Sequence, residues 1–257
     1  MKKLFFRNLC LIFQSLTTIA FCALIVYGFF SALEEGVPLF DISLRLGPSF
    51  AHLVISFALA VMVYHYLRTT FGSDAQLMPF LLLLLSLLEL RVYPPCYRYT
   101  QALPLSMAQT ARLYQIILLA AILISMECML YQTEINVKRI NTGILIACAV
   151  SLLVGMAVPL SPNTVIFLKG AYIGALTMRV AILVLGCIGL LILFCSVFQE
   201  NVSKETIIKC VAYTMNIIAL VLLAFPYGVI RDGIVFLFEL ASLAILMLVA
   251  RSRRIWA

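Results

Sequence analysis

The residues of this chain that could do chemistry are few, and most lie in apolar surroundings. Glu89, Arg91, Arg112, Arg179 and Glu239 fall within or at the ends of hydrophobic stretches, and Arg98 follows one. A charge in hydrocarbon is costly, so such residues face a bundle interior or a water-filled cavity and are functional candidates by default. The planar guanidinium fork suits carboxylate or phosphate. Arg91, Arg98, Arg112 and Arg179 outnumber Glu89 and Glu239, which suits a small anionic or zwitterionic ligand, either a solute or a lipid headgroup. The competing explanation is structural: Arg179 with Glu239 and Arg112 with Glu89 would be pairs that fix helix packing, while Arg91 and Arg98 meet lipid headgroups.

Other chemistries lack their residues. There is no phosphate-binding P-loop, no dinucleotide fingerprint, no H-E-x-x-H and no G-x-S-x-G in the sequence. His52 and His65 stand thirteen residues apart on one predicted helix, about 19 Å along its axis, too far to share a metal. Single-histidine haem ligation is the one metal arrangement left, and no cofactor or metal site is expected. Cys10, Cys22, Cys96, Cys128, Cys148, Cys187, Cys195 and Cys210 form no C-x-x-C pair and read as small apolar packing residues. A lipid-modifying enzyme using Glu89, Glu127 or His52 is a lesser alternative, because no paired acidic motif accompanies it; the chain reads as non-enzymatic. Dispersed basic residues without a soluble platform argue against nucleic acid.

The elements that must position these residues follow from composition. Of 257 residues 64% are hydrophobic and 11% charged, against about 25% charged in an ordinary soluble domain; the mean hydropathy is +1.12. The fold class is therefore all-α, a polytopic membrane helical bundle. Apolar runs give eight segments, near Cys10–Phe30, Phe50–Tyr66, Leu77–Val92, Leu105–Tyr131, Gly143–Leu160, Ala171–Phe198, Ile207–Phe225 and Gly233–Ala250. The third is short for a span: its sixteen residues reach about 24 Å.

Charge sets the orientation. The net +7 reads as topology, since cytoplasmic loops collect Lys and Arg. With the N-terminus inside, Lys2, Lys3, Arg7, Arg68, Lys138, Arg139, Lys204, Lys209, Arg251, Arg253 and Arg254 are cytoplasmic, eleven in all, against five outside: Arg45, Arg91, Arg98, Lys169 and Arg231. This predicts a cytoplasmic (inner) membrane protein with both termini cytoplasmic. The first segment also resembles a signal peptide in outline, but its run is long and no clean cleavage site follows, so an uncleaved anchor is expected. Residues 1–257 form one integral-membrane domain: an anchor helix and outer loop over 1–49, a seven-helix core over 50–250 and a basic tail over 251–257. Asn201-Val202-Ser203 matches a glycosylation pattern by chance, in a loop placed inside.

One offset repeats uncommon residue types. Arg112, Cys128, Gln132 and Pro159 have identical residues 67 positions later, at Arg179, Cys195, Gln199 and Pro226. The pattern suggests a parallel repeat of a helical hairpin, near 105–170 and 171–232. Gly170-x-x-x-Gly174 and Gly186-x-x-Gly189 predict close helix contact in the sixth segment.

The expected function is a small transporter or carrier component that binds an anionic or zwitterionic solute, or a lipid headgroup, in an outward-facing polar cavity. The alternative is a sensor or assembly subunit signalling to a separate membrane or cytoplasmic partner protein. A polar route continuing toward the inner side distinguishes the first; a closed apolar inner half distinguishes the second.

Overall fold

The computed structural model describes residues 2–66, 74–94, 96, 106–131, 137–158, 176–198, 203–225 and 229–255. They form an all-α bundle with eight helices long and apolar enough to cross a membrane, and no strand among the described residues. In chain order these are α1 (Lys2–Glu34), α2 (Leu39–Tyr66), α3 (Asp74–Leu87), α4 (Met107–Leu130), α5 (Val137–Ala157), α6 (Leu176–Val197), α7 (Lys204–Leu222) and α8 (Val229–Ile255). The short third segment spans because α3 continues through a 3-10 turn over Leu88–Val92.

Burial explains its uniform Leu composition. A helix that is apolar all round belongs inside, and 78% of the Ala75–Val92 span is buried, against 22% for α6. α3 and α4 form the centre. α1 packs on α2 and α3, α2 on α8, α8 on α7 and α7 on α6, while α5 lies along α4. Large apolar side chains exposed on the outer helices, such as Ile12, Leu16 and Ile19 on α1 and Leu191 and Phe194 on α6, suit lipid.

The outer loop expected before residue 50 is mostly helix. α1 ends in a Schellman turn: Gly36 has φ 76°, its N–H donates to Leu33 O at 3.0 Å, and Val37 N–H donates to Ala32 O at 3.0 Å. The left-handed cap needs glycine, and Pro38 stops the helix from continuing. α2 then starts at Leu39 and runs through Pro48. The predicted segment began only at Phe50, after Pro48; the helix starts eleven residues earlier because a membrane helix packed among neighbours tolerates the backbone bond lost at proline. The result is a tight α1–α2 hairpin.

Polar side chains fasten the apolar helices at two levels. Gln14 on α1 donates to Ser86 Oγ on α3 at 2.8 Å and to Ser56 Oγ on α2 at 3.3 Å. Asn216 on α7 donates to Ser125 Oγ on α4 at 2.8 Å. Gly186 and Gly189 do what the spacing predicted: a Cβ on Gly189 would lie 3.0 Å from Ile217 Cδ1 on α7 and 3.1 Å from Met126 Cγ on α4. Gly170 and Gly174 lie outside the described residues.

The segments of the two expected hairpins, α4–α5 and α6–α7, are each packed pairs, as are other consecutive helices such as α1–α2 and α7–α8. Its matched residues differ in surroundings. Cys128 is buried in the centre and Cys195 is exposed, while Gln132, Pro159, Gln199 and Pro226 lie outside the described residues. None of the eight cysteines is in a disulfide.

Candidate functional site

Four ionisable side chains from three elements meet in the bundle interior. α2 brings Ser49, His52 and Ser56 to one buried stripe at helical spacing. α8 brings Glu239, with Ser242 one turn further along; both are buried. The 3-10 turn brings Glu89 and Arg91. Residues two apart on an α-helix point about 160° away from each other, whereas the tighter 3-10 winding reduces this to about 120°. That closer angle helps Arg91 fold back on Glu89.

The geometry is a linear ion cluster. Arg91 Nη2 donates to Glu89 Oε1 at 2.7 Å and Nε donates to Oε2 at 3.1 Å. His52 Nδ1 lies 2.7 Å from Glu89 Oε1, and His52 Nε2 lies 3.3 Å from Glu239 Oε2. The side chains of His52, Glu89 and Glu239 are 3%, 1% and 2% exposed, so these charges are held away from solvent. Neither imidazole contact has hydrogen-bond alignment, and Glu239 Oε2 and Arg91 Nη1 are buried without a hydrogen bond. The Phe236 ring stands edge-on to the imidazole, with centroids 6.4 Å apart. Arg231 and Asp232 form a neighbouring ion pair at the start of α8, within electrostatic reach of the cluster. Arg231 also donates to the Phe225 carbonyl beyond the end of α7.

One charge depends on a proton. Arg91 balances Glu89 and Arg231 balances Asp232, which leaves Glu239 facing His52. The cluster His52, Glu89, Arg91 and Glu239 therefore carries net zero charge with His52 protonated and one net negative charge without.

No protein family, curated protein or solved structure matches the chain.

Of the residues picked from sequence, Glu89, Arg91 and Glu239 come together. Arg112 does not join them. Its Nη1 donates to the Met156 carbonyl at 3.2 Å, so it covers an open carbonyl at the C-terminal end of α5, where a cation also complements the helix dipole. The pairing of Arg112 with Glu89 is thus replaced by Arg91 and His52 with Glu89. The pairing of Arg179 with Glu239 is likewise replaced, by His52 with Glu239: α6, which carries half-buried Arg179, packs on α4 and α7, while Glu239 is on the face of α8 turned to α2. Arg98 lies outside the described residues.

His52 is the residue that sequence reasoning left out of the site: its helix was expected to begin near Phe50, whereas α2 begins at Leu39 and carries His52 at its middle. Its signal was the Ser49, His52, Ser56 stripe, polar residues three and four apart that share one buried face of α2. Cys96, which follows the third apolar segment in the sequence, is buried against α1: its thiol donates to Leu24 O at 3.6 Å, and a Cβ on Gly28 would lie 2.6 Å from its Sγ. Burial pushes that thiol up to about 12, so the reactive thiolate is suppressed.

Proposed function

We propose that this protein is a non-enzymatic small transporter or carrier component of the cytoplasmic membrane, with both termini inside, whose solute is zwitterionic and binds at the His52, Glu89, Arg91, Glu239 cluster in the outer half of the bundle. The observation that carries this reading is a donor and an acceptor left over in one buried cluster. Arg91 Nη1 and Glu239 Oε2 have no hydrogen bond, and each lies in the other's field. A carboxylate or phosphate on the first and an ammonium on the second would satisfy both, and buried polar groups call for such partners.

Polar groups continuing away from the cluster favour a carrier over a sensor. Ser56 and Ser86 lie one turn further toward the Lys2 end and share a hydrogen bond of 3.1 Å, met there by Gln14. Ser242 follows Glu239 in the same direction, and its buried Oγ has no hydrogen bond.

A thermal-stabilisation screen of purified protein tests the proposal, using glycine, β-alanine and taurine beside acetate and inorganic phosphate. The zwitterions are expected to raise Tm, as any ligand selective for the native state must, and the isosteric Glu239→Gln variant is expected to lose that rise. Stabilisation by none of the five refutes the carrier reading.

A further inference from the structure

We propose that the proton on His52 is a fixed counter-charge that sets the net charge of the accepted solute at zero, so that a zwitterion binds and crosses with no proton exchanged and no net charge moved. This rests on the zwitterion reading above and specifies what travels with the solute.

Among the described residues, the charged groups around His52 come from two elements. The 3-10 turn contributes Glu89 and Arg91, and α8 contributes Glu239, with the Arg231–Asp232 pair beyond them. The charges of α1, namely Lys2, Lys3, Arg7 and Glu34, lie at its two ends; Gln14, which reaches the adjoining Ser56 and Ser86, is uncharged. The single charge of α3, Asp74, opens that helix far from Glu89. On α2 itself Asp41 and Arg45 are exposed. Arg91 is permanently cationic and is bound to Glu89 through two nitrogens. The proton on His52 is therefore the counter-charge within the cluster that is left for Glu239.

A site closed to water penalises an unbalanced charge, so the protons held by the cluster follow the charge of what enters. Glycine brings one positive and one negative charge. Its carboxylate meets Arg91 Nη1, its ammonium meets Glu239 Oε2, and the total stays at zero with His52 still protonated. Glu239 Oε2 can accept this donor because His52 Nε2 stands 3.3 Å away without hydrogen-bond alignment, and an ionised carboxylate offers about four lone-pair sites. Ethanolamine, a cation of similar size without a carboxylate, restores neutrality only if His52 releases one proton to solvent. Glycolate, the matching anion, restores it only if Glu239 takes one proton up. One N–H bond breaks in the first case and one O–H bond forms in the second; with glycine neither changes.

The three solutes thus differ in the sign of their pH dependence. While His52 is protonated and Glu239 ionised in the empty protein, ethanolamine affinity rises about tenfold per pH unit, glycolate affinity falls by the same factor, and glycine affinity is flat. A carrier built this way moves its solute down the solute's own gradient, indifferent to membrane potential and to a pH difference.

Calorimetry of the full chain in lipid nanodiscs at stepped pH, with glycine, ethanolamine and glycolate as probes, reads these slopes. Glycine is expected to bind with a pH-independent Kd. Because the chain has two histidines, His52 and His65, selective 15N labelling gives two imidazole signals, and the one missing from His52→Gln is expected to remain that of an imidazolium when glycine is added. His52→Gln leaves the cluster one net negative charge, so glycine binding should weaken more than about tenfold and ethanolamine should become the tighter ligand. His65→Gln should behave as wild type. In proteoliposomes, glycine uptake should be unchanged by an imposed potassium diffusion potential or a pH step. A glycine Kd that shifts about tenfold per pH unit in either direction, a neutral His52 in the empty protein, an unaltered preference in His52→Gln, or uptake driven by the potential or the pH step overturns the proposal and leaves the carrier reading standing. If no probe binds, both fall together.

Discussion

At the scale of the residue, Glu89 is the side chain on which the cluster depends. It accepts from Arg91 and contacts His52 at the same Oε1, so its removal strands a buried guanidinium beside a buried imidazole. Breaking a buried ion pair from one side costs about 3–5 kcal/mol, because the remaining charge keeps its desolvation penalty. Glu89→Ala should lower stability by that order in reversible unfolding of the micelle-embedded protein by SDS. Adding Arg91→Met should recover most of the loss, since the methionine leaves no charge to solvate. Equal stability of Glu89→Ala and wild type would mean that water reaches the cluster and that the burial argument is wrong. The residue types of this site were legible in the sequence because charge in an apolar run is conspicuous. Their partners were not, because pairing depends on rotation about helix axes: Arg112 and Arg179 were matched to carboxylates by depth alone, whereas Arg112 turns to the end of α5.

At the scale of the element, two local departures from regular α-helix shape the molecule. The 3-10 turn over Leu88–Val92 turns Glu89 and Arg91 toward each other, and no pattern of apolar residues could have announced it, since Leu88, Leu90 and Val92 fit either winding. The close α6–α7 contact was legible, because small residues at helical spacing in a membrane segment signal approach of backbones. Gly189 sits where α6 meets both α7 and α4, with Ile217 and Met126 already at the distance of a Cβ. Gly189→Leu should therefore destabilise the bundle by about 1–3 kcal/mol through overpacking. Gly47→Leu is the control: nothing lies within 4 Å of its Cβ position, so its SDS unfolding midpoint should match wild type. Similar midpoints for the two variants would mean that α6 does not approach α7 and α4 closely at Gly189.

At the scale of the whole molecule, the count of helices and the membrane character followed from composition, because 11% charged residues cannot clothe a water-facing surface. Which helices occupy the centre did not follow. The short, Leu-rich third segment looked like the weakest span and is the most enclosed, since a stretch surrounded by other helices has no need of length or of an amphipathic stripe. Orientation rests on basic residues alone, eleven assigned inside against five outside, and Cys96, the cysteine between the third and fourth segments, is buried and out of reach of a labelling reagent. Glu35 provides a better position. It is exposed in the turn between α1 and α2, next to Gly36, whose backbone φ of 76° would strain any substitution there. Cys187 and Cys195, the two exposed thiols, lie on α6 within its apolar span, where a charged reagent does not reach. In intact cells Glu35→Cys should react with a membrane-impermeant maleimide while wild type stays unlabelled, and a cysteine at Arg251, exposed near the end of α8, should react only after permeabilisation. Labelling of Arg251→Cys but not Glu35→Cys in intact cells would invert the molecule and put the His52, Glu89, Arg91 and Glu239 cluster in the cytoplasmic half of the bundle.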